Sequence, residues 1–192
     1  MSQQLALFET DSRVVLDDAS GSILYYRNVL TPAHTQRVFE RLLAGVPWRS
    51  ERRMMYEREV DVPRLVASSS VDEALLPPLA EVLPIVERRT RSRYTHIGMN
   101  LYRDGRDSVA PHNDKLHELI VGQPIALLSL GATRKMTIRS KGLPRRILDL
   151  DLEPGSVLVM SYLTQYGYDH GIPKTSESVG PRISLAFRVR PR

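Results

Sequence analysis

Arg182-Ile183-Ser184-Leu185-Ala186-Phe187-Arg188-Val189-Arg190 alternates without a break: every odd position is apolar, and three of the even ones are arginines. Side chains two apart share a face of a strand. Arg182, Ser184, Ala186 and Arg188 are therefore expected to look one way, and Ile183, Leu185, Phe187 and Val189 the other. A strand with so apolar a face belongs in the middle of a sheet. Burying a guanidinium is costly unless an anion meets it. The polar face is thus expected to line a cavity whose cationic fork holds an acid. The plainer alternative is an edge strand with solvated arginines, which Arg190 and Arg192 favour in part.

Upstream stand His112-Asn113-Asp114 and, further on, His170. His112 and Asp114 are two apart, so on an extended segment their side chains point the same way, and His170 must arrive from a distant strand. Two neutral imidazoles and one carboxylate on one face of a metal leave the opposite face open, the donor set of non-haem Fe(II) oxygenases. An HxD pair alone is common by chance, the alternative being a surface histidine beside an Asp-Lys turn. The arginine-bearing strand gives the pair its weight, because a dicarboxylate can chelate the metal at one end and meet a guanidinium at the other.

The chain has 192 residues, 42% hydrophobic and 26% charged, and no cysteine. That is the size of one domain with a real core, and it excludes disulfides, thiolate zinc sites and cysteine nucleophiles. The start, Met1 to Phe8, lacks the basic segment and long apolar stretch of a secretory signal, and no run approaches the roughly 20 apolar residues of a spanning helix. The expectation is a cytoplasmic protein with no membrane contact. A net charge of +5 suits a polyanionic partner such as nucleic acid, although many basic proteins have none.

Residues 1–30 read as irregular around a short strand at Ile23-Leu24-Tyr25-Tyr26. Thr31 is a good N-cap with Pro32 at the first helical position. Val38, Leu42 and Leu43 then recur at helical spacing, predicting a helix to about Ala44 ended by Gly45. Trp48 to Arg64 is arginine-rich without helical period and reads as a hairpin or loop. Ser70-x-x-Glu73 resembles a capping box, but Pro77-Pro78 and Pro84 interrupt the helix it would open, so a start near Pro78 and an end near Arg91 are expected. Strands are expected over 94–103, 125–130, 134–139, 145–151, 156–161 and 182–190. Helices first and many short strands later predict an α+β fold with a curved sandwich or barrel as its core.

Several ordered blocks together resemble the AlkB family of Fe(II)- and 2-oxoglutarate-dependent dioxygenases. They are Asn100-Leu101-Tyr102-Arg103-Asp104-Gly105-Arg106-Asp107-Ser108, His112-Asn113-Asp114, Leu128-Ser129-Leu130-Gly131-Ala132-Thr133-Arg134, Leu152-Glu153-Pro154-Gly155-Ser156-Val157-Leu158, His170-Gly171-Ile172-Pro173, and Pro181 to Arg188. The match covers about residues 20 to 190 and is densest after 98. The resemblance implies a double-stranded β-helix, or jelly roll, with N-terminal helices packed on one sheet. It implies one domain over 1–192, with 1–93 a helical and substrate-lid region and 94–192 the catalytic core. It also implies that His112, Asp114 and His170 bind iron and carry catalysis. Asn100, Tyr102, Arg182, Ser184 and Arg188 would bind 2-oxoglutarate, with Arg182 on its distal carboxylate and Arg188 toward the keto-acid end. O2 would be the oxidant. The implied reaction is oxidative demethylation of N-alkylated bases (1-methyladenine or 3-methylcytosine type) in DNA or RNA, a DNA-damage repair activity releasing formaldehyde, succinate and CO2.

The chain departs from the family pattern at four places. Ser184 replaces the asparagine of the closing RxNxxxR motif, and its hydroxyl still hydrogen-bonds. Ala186 replaces a polar residue in that strand. Leu116 stands where repair members carry an acidic residue facing the base. The lid stretch, Pro63 to Ser70, lacks the aromatics that stack on a flipped base. Arg64, Lys115, Leu116 and Arg134 are candidates for substrate contact. The expected partner is nucleic acid, single-stranded DNA or RNA favoured, with a monomeric enzyme and no obligate protein partner. The departures at Leu116 and in the lid motivate the alternative of a 2-oxoglutarate-dependent oxygenase acting on a protein or small molecule.

Overall fold

The computed structural model describes residues 12–55 and 58–191, and for 52–55 and 58–61 the backbone alone. Twelve strands run in chain order: β1 (Ser12–Asp18), β2 (Gly21–Tyr26), β3 (Arg49–Met55), β4 (Arg58–Ser70), β5 (His96–Tyr102), β6 (Val109–His112), β7 (Ile125–Gly131), β8 (Arg134–Ser140), β9 (Ile147–Leu152), β10 (Val157–Met160), β11 (Tyr168–Ile172) and β12 (Arg182–Arg188). The helices are α1 (Pro32–Gly45), α2 (Pro77–Thr90) and the short α3 (Thr164–Gly167). Eight strands form one sheet in the order β1-β2-β10-β7-β12-β5-β4-β3, and four form a second, β6-β11-β8-β9. Every pairing is antiparallel. This is the α+β jelly-roll architecture expected from the sequence.

The alternation of β12 places it. It lies between β5 and β7, a central strand. Ile183, Leu185 and Phe187 are fully buried in a cluster with Val38 and Leu42 of α1 and Leu79, Val82 and Val86 of α2. The opposite face of the large sheet meets the small one over Ile23, Ile125, Leu158, Ile138, Leu150 and Leu152. The layers are therefore helices, large sheet, small sheet, and the cationic face of β12 looks into the gap between the sheets.

The first helix follows its sequence signals. Thr31 Oγ1 accepts from the His34 N–H at 3.3 Å, Pro32 opens the helix, and Val38 and Leu42 are buried. Phe39 takes the buried position expected of Leu43, which is exposed. The Ser70–Glu73 capping box does not form. Ser70 ends β4, and α2 begins only at Pro77. A residue before proline is held extended, and Leu76 has ψ 138°. Pro84 does not interrupt α2, since the buried face of Leu79, Val82, Leu83 and Val86 holds the helix through the missing N–H. The N-terminal region carries four strands as well as two helices, including the hairpin β1–β2 where only one short strand is legible in the sequence. The stretch expected as a lid is β4, paired with β5 from Leu65↔Leu101 to Ser70↔His96.

Antiparallel strands send their connections alternately to two ends. The segments after β6 (113–124), after β8 (141–146) and after β10 (161–167) emerge at one end, where β12 finishes. Those after β7, β9 and β11 emerge at the other. Among the described residues no helix is long and apolar enough to cross a membrane.

Candidate active site

His112 ends β6 and stands opposite His170 in β11. Asp114 follows on the loop. One potential ligand atom from each of the three lies within 4.8 Å of the others, and the two imidazole centroids are 4.6 Å apart. The sequence pair and the distant histidine are thus brought together by the β6–β11 ladder. His112 Nδ1 lies 2.9 Å from the Ala110 carbonyl oxygen. A carbonyl only accepts, so Nδ1 carries the proton and Nε2 keeps the lone pair a metal needs. Burial, reinforced by the His112 imidazole, lowers His170 to about 4, so His170 is neutral at physiological pH.

Asp114 is held by Arg188, whose Nη2 donates to Oδ1 at 2.7 Å and Nε to Oδ2 at 3.2 Å. Burial pushes the Asp114 carboxyl upward, but Arg188 and the two imidazoles outweigh it and hold the group below the ordinary carboxylate range. Arg188 therefore grips the Asp114 carboxylate while lining the same pocket as Arg182. Gly98 on β5 makes room for it, since a Cβ there would come 3.0 Å from Arg188 Nη1. The backbone of the same loop is fixed from α3. Gln165, 2% exposed, accepts the Asp114 N–H on Oε1 at 3.0 Å, and the Asn113 side chain donates to the Tyr168 carbonyl.

At the other end of the same face lies Arg182, 1% exposed. Its Nη2 donates to Ser129 Oγ at 2.9 Å, and its guanidinium carbon is 5.3 Å from the centre of the Tyr102 ring. Among the described residues its Nε and Nη1 are buried with no hydrogen-bond partner. Burial pulls the Arg182 guanidinium down from its ordinary value. A fully buried cation with two unmet donors is costly and is complete only when an anion fills the space before it. Register puts Asn100, Ser184 and Ser129 in one polar row across β5, β12 and β7. Asn100 Oδ1 accepts from Arg64 Nε at 2.8 Å. Arg64, Asn100, Tyr102, His112, His170, Arg182, Ser184 and Arg188 line one pocket, walled by Val109, Leu127, Met136 and Ile172. The donor set of two imidazoles and a carboxylate suits Fe(II), and the unmet donors of Arg182 suit the distal carboxylate of 2-oxoglutarate. The residues present fit both groups.

Three of the four substrate candidates lie away from the pocket lining. Arg134 is 3% exposed, and its guanidinium donates to the carbonyls of Asp104, Asp107 and Pro173. It ties β8 to two loops and has no reach to a phosphate. Leu116 opens a 3-10 turn (Leu116–Glu118) and packs against the apolar cluster between the sheets. Lys115 is exposed and bonded to Glu118 at 2.9 Å. Only Arg64 faces the cavity. Trp48 packs on the helix-side core, whereas Tyr56 lies outside the described residues. Ser129 escapes the sequence reading, although a lone serine in Ile125-Ala126-Leu127-Leu128-Ser129-Leu130 is a legible polar interruption. Gln165 escapes it too, and no local signal exists for it. Gln165→Leu is expected to weaken Co(II) or Fe(II) affinity about tenfold by releasing the Asp114 backbone, while Gln165→Glu, which keeps the acceptor, retains it. A metal titration that finds the two variants equal would remove this role.

The model of the 2OG-Fe(II) oxygenase superfamily matches residues 67–188. The chain is 30% identical over 172 residues to the alpha-ketoglutarate-dependent dioxygenase alkB homolog 3 of Mus musculus, covering 79% of this chain and 60% of that protein. It is 34% identical over 120 residues to the DNA oxidative demethylase ALKBH2 of Bos taurus, covering 59% of this chain and 43% of that protein. The chain thus spans about half the length of the curated relatives it matches. A solved structure of OsALKBH1 superposes with a TM-score of 0.65 at 14% identity, over 93% of this chain and 100% of that one, which bears on the fold alone.

Proposed function

Because the chain belongs to the 2OG-Fe(II) oxygenase superfamily, we propose that it demethylates N-alkylated bases of nucleic acid oxidatively, using Fe(II), 2-oxoglutarate and O2. The observation that carries this is Arg182, fully buried with two unmet donors on the same cavity face as the His112–Asp114–His170 cluster. His112, Asp114 and His170 would hold the iron, and Arg182 with Ser129 beside it the distal carboxylate. Asn100, Tyr102 and Ser184 would line the cosubstrate's path. With O2, the bound groups supply the oxidation of an N-methyl to an N-hydroxymethyl, which falls apart to formaldehyde and the repaired base, while 2-oxoglutarate leaves as succinate and CO2.

The chain's own residues do the rest. Arg188 keeps Asp114 ionised and oriented. The Ala110 carbonyl sets the His112 tautomer. Val109, Leu127, Met136 and Ile172 exclude water from the cavity, which suppresses side reactions. Arg64, at the pocket wall and anchored by Asn100, is the residue best placed to meet the incoming nucleotide. A base must leave its stack to reach such a site, which favours single-stranded DNA or RNA, acted on by a monomer. The relative named a DNA oxidative demethylase supports the nucleic-acid substrate.

A specific observation keeps a second reading, oxidation of a protein or small molecule. Leu116 packs into the inter-sheet cluster, and the pocket lining among the described residues includes no carboxylate to pair with a cationic base. The test incubates the protein with Fe(II), 2-oxoglutarate, ascorbate and a 1-methyladenine or 3-methylcytosine single-stranded oligonucleotide. Formaldehyde and succinate in equal amounts are expected. Succinate without formaldehyde would turn the assignment to the second reading, and neither product would end both.

A further inference from the structure

Gly131 at the end of β7 pairs with Arg182, and Arg134 starts β8 three residues on. Arg134 therefore stands at the end of the barrel away from the metal, and it is almost fully buried. A buried cation is expensive unless its charge is met. Its N–H groups are satisfied by the carbonyls of Asp104, Asp107 and Pro173 at 2.8–2.9 Å, which carry no net charge. The two carboxylates that bear on it, Asp107 and Asp104, are each already paired, with Arg103 and Arg106. Its guanidinium carbon lies 5.8 Å from the centre of the Tyr102 ring, and that of Arg182 5.3 Å from the same centre, so the two cations are at most about 11 Å apart. Arg134 lines an outer groove with Thr133, Lys135, Pro173 and Thr175, whereas Tyr102 and Arg182 line the inner cavity. It thus separates the closed end of that cavity from solvent.

We propose that Arg134 is a positioning residue for 2-oxoglutarate: without touching it, Arg134 supplies a second positive charge that draws the distal carboxylate to the closed end of the cavity. This rests on the reading that Arg182 holds that carboxylate. The two guanidiniums leave this end with a surplus of buried positive charge beside a single phenol. Burial pulls the Arg182 guanidinium down from its ordinary value, and Arg134 adds to the pull. One carboxylate arriving at Arg182 relieves both costs. Salt screens buried charges far less than exposed ones. At an effective dielectric constant of about 20, a unit charge about 10 Å away alters affinity roughly tenfold. The three carbonyl bonds have a part in this, because they hold the cation at the floor of the cavity and keep it from turning out into the groove.

The test compares Arg134→Lys with Arg134→Gln. Both give up the planar fork and keep an N–H donor, and they differ in charge. Binding of 2-oxoglutarate to the Co(II)-loaded protein is measured by calorimetry, without turnover, and Co(II) affinity is measured beside it. The Gln variant is expected to bind 2-oxoglutarate about tenfold more weakly than wild type, and the Lys variant within about threefold of it. Both should bind Co(II) as wild type does, since the metal lies at the other end of the face. If the Gln variant does not fold, Arg134→Met takes its place, because an apolar side chain in place of a buried cation is often neutral or stabilising. Lys and neutral variants that bind 2-oxoglutarate alike, whether both near wild type or both weakened, would reduce Arg134 to a tie between loops and overturn the proposal. Co(II) affinity that falls in step with 2-oxoglutarate affinity would overturn it also. In both of these cases wild type still binds 2-oxoglutarate, and the cosubstrate reading stands. Wild type that binds none would remove that reading and the proposal together.

Discussion

His170→Ala is expected to abolish formaldehyde and succinate release and to reduce Fe(II) or Co(II) affinity by far more than 100-fold. Loss of an outer partner of a metal ligand costs about 10–100-fold, and this change removes a ligand outright. His170 is the appropriate member of the three to test. It is 6% exposed, whereas His112 is half-buried, so water has less room to take the missing place. Its imidazole is kept neutral by burial, so its loss removes a metal donor and no charge. The change also leaves space beneath the ring of His112. The variant should nonetheless fold, because the β8–β11 ladder is held by backbone bonds and by Tyr168 and Ile172 to either side. Circular dichroism checks the fold, and a cobalt titration reads the site without any turnover. Metal affinity within a few-fold of wild type in a folded variant would dissolve the metal centre.

Arg182→Met is expected to raise the KM for 2-oxoglutarate by about 100-fold or more while leaving the ligand-free protein no less stable. Two opposed effects are involved. Truncating one partner of a buried, hydrogen-bonded charge pair costs about 2–5 kcal/mol of binding, or roughly 30- to several-thousand-fold. In the ligand-free protein the same guanidinium has Ser129 Oγ and Tyr102 beside it, with two donors unmet among the described residues. Replacing an incompletely paired buried cation with an apolar side chain of similar length is neutral or stabilising. Thermal melts without and with 2-oxoglutarate separate the two effects. The cosubstrate should raise the midpoint of wild type and leave that of the variant unmoved. Arg190→Ala is the control, because Arg190 lies beyond β12 and pairs with Glu118 at 2.9 Å. If the two variants weaken 2-oxoglutarate equally, the cosubstrate does not lie along this face.

The legible part of the molecule is where period and chemistry agree. The closing strand announces both its place in the sheet and the face that carries the arginines, because Ile183, Leu185 and Phe187 leave no other arrangement. Thr31-Pro32 announces α1 in the same way. Elements that carry site residues are harder to see. β6 is four residues with Pro111 inside it, and β11 flanks His170 with Asp169 and Gly171, so neither shows the β-branched alternation of an ordinary strand. The Ser70–Glu73 box fails because its signal is local, and the proline pair seven residues on governs where a helix can begin. Arg134 and Leu116 read as substrate contacts because sequence gives residue type without direction. Three carbonyls from two loops claim one, and the other packs against the inter-sheet core. The Gln165 contact to Asp114 joins positions with no shared pattern.

The position of β12 between β5 and β7 has a consequence for how the protein comes to exist. One strand carries both Arg182, which is proposed to meet the cosubstrate, and Arg188, which grips Asp114, and it lies in a gap between two strands that precede it in the chain. Neither anionic ligand has a cation to meet until that gap closes. The two arginines therefore meet their partners only when β12 is seated between β5 and β7. By the same linkage, saturating 2-oxoglutarate should slow hydrogen exchange in β12 and in the β5 and β7 amides that pair with it before any other part of the sheet.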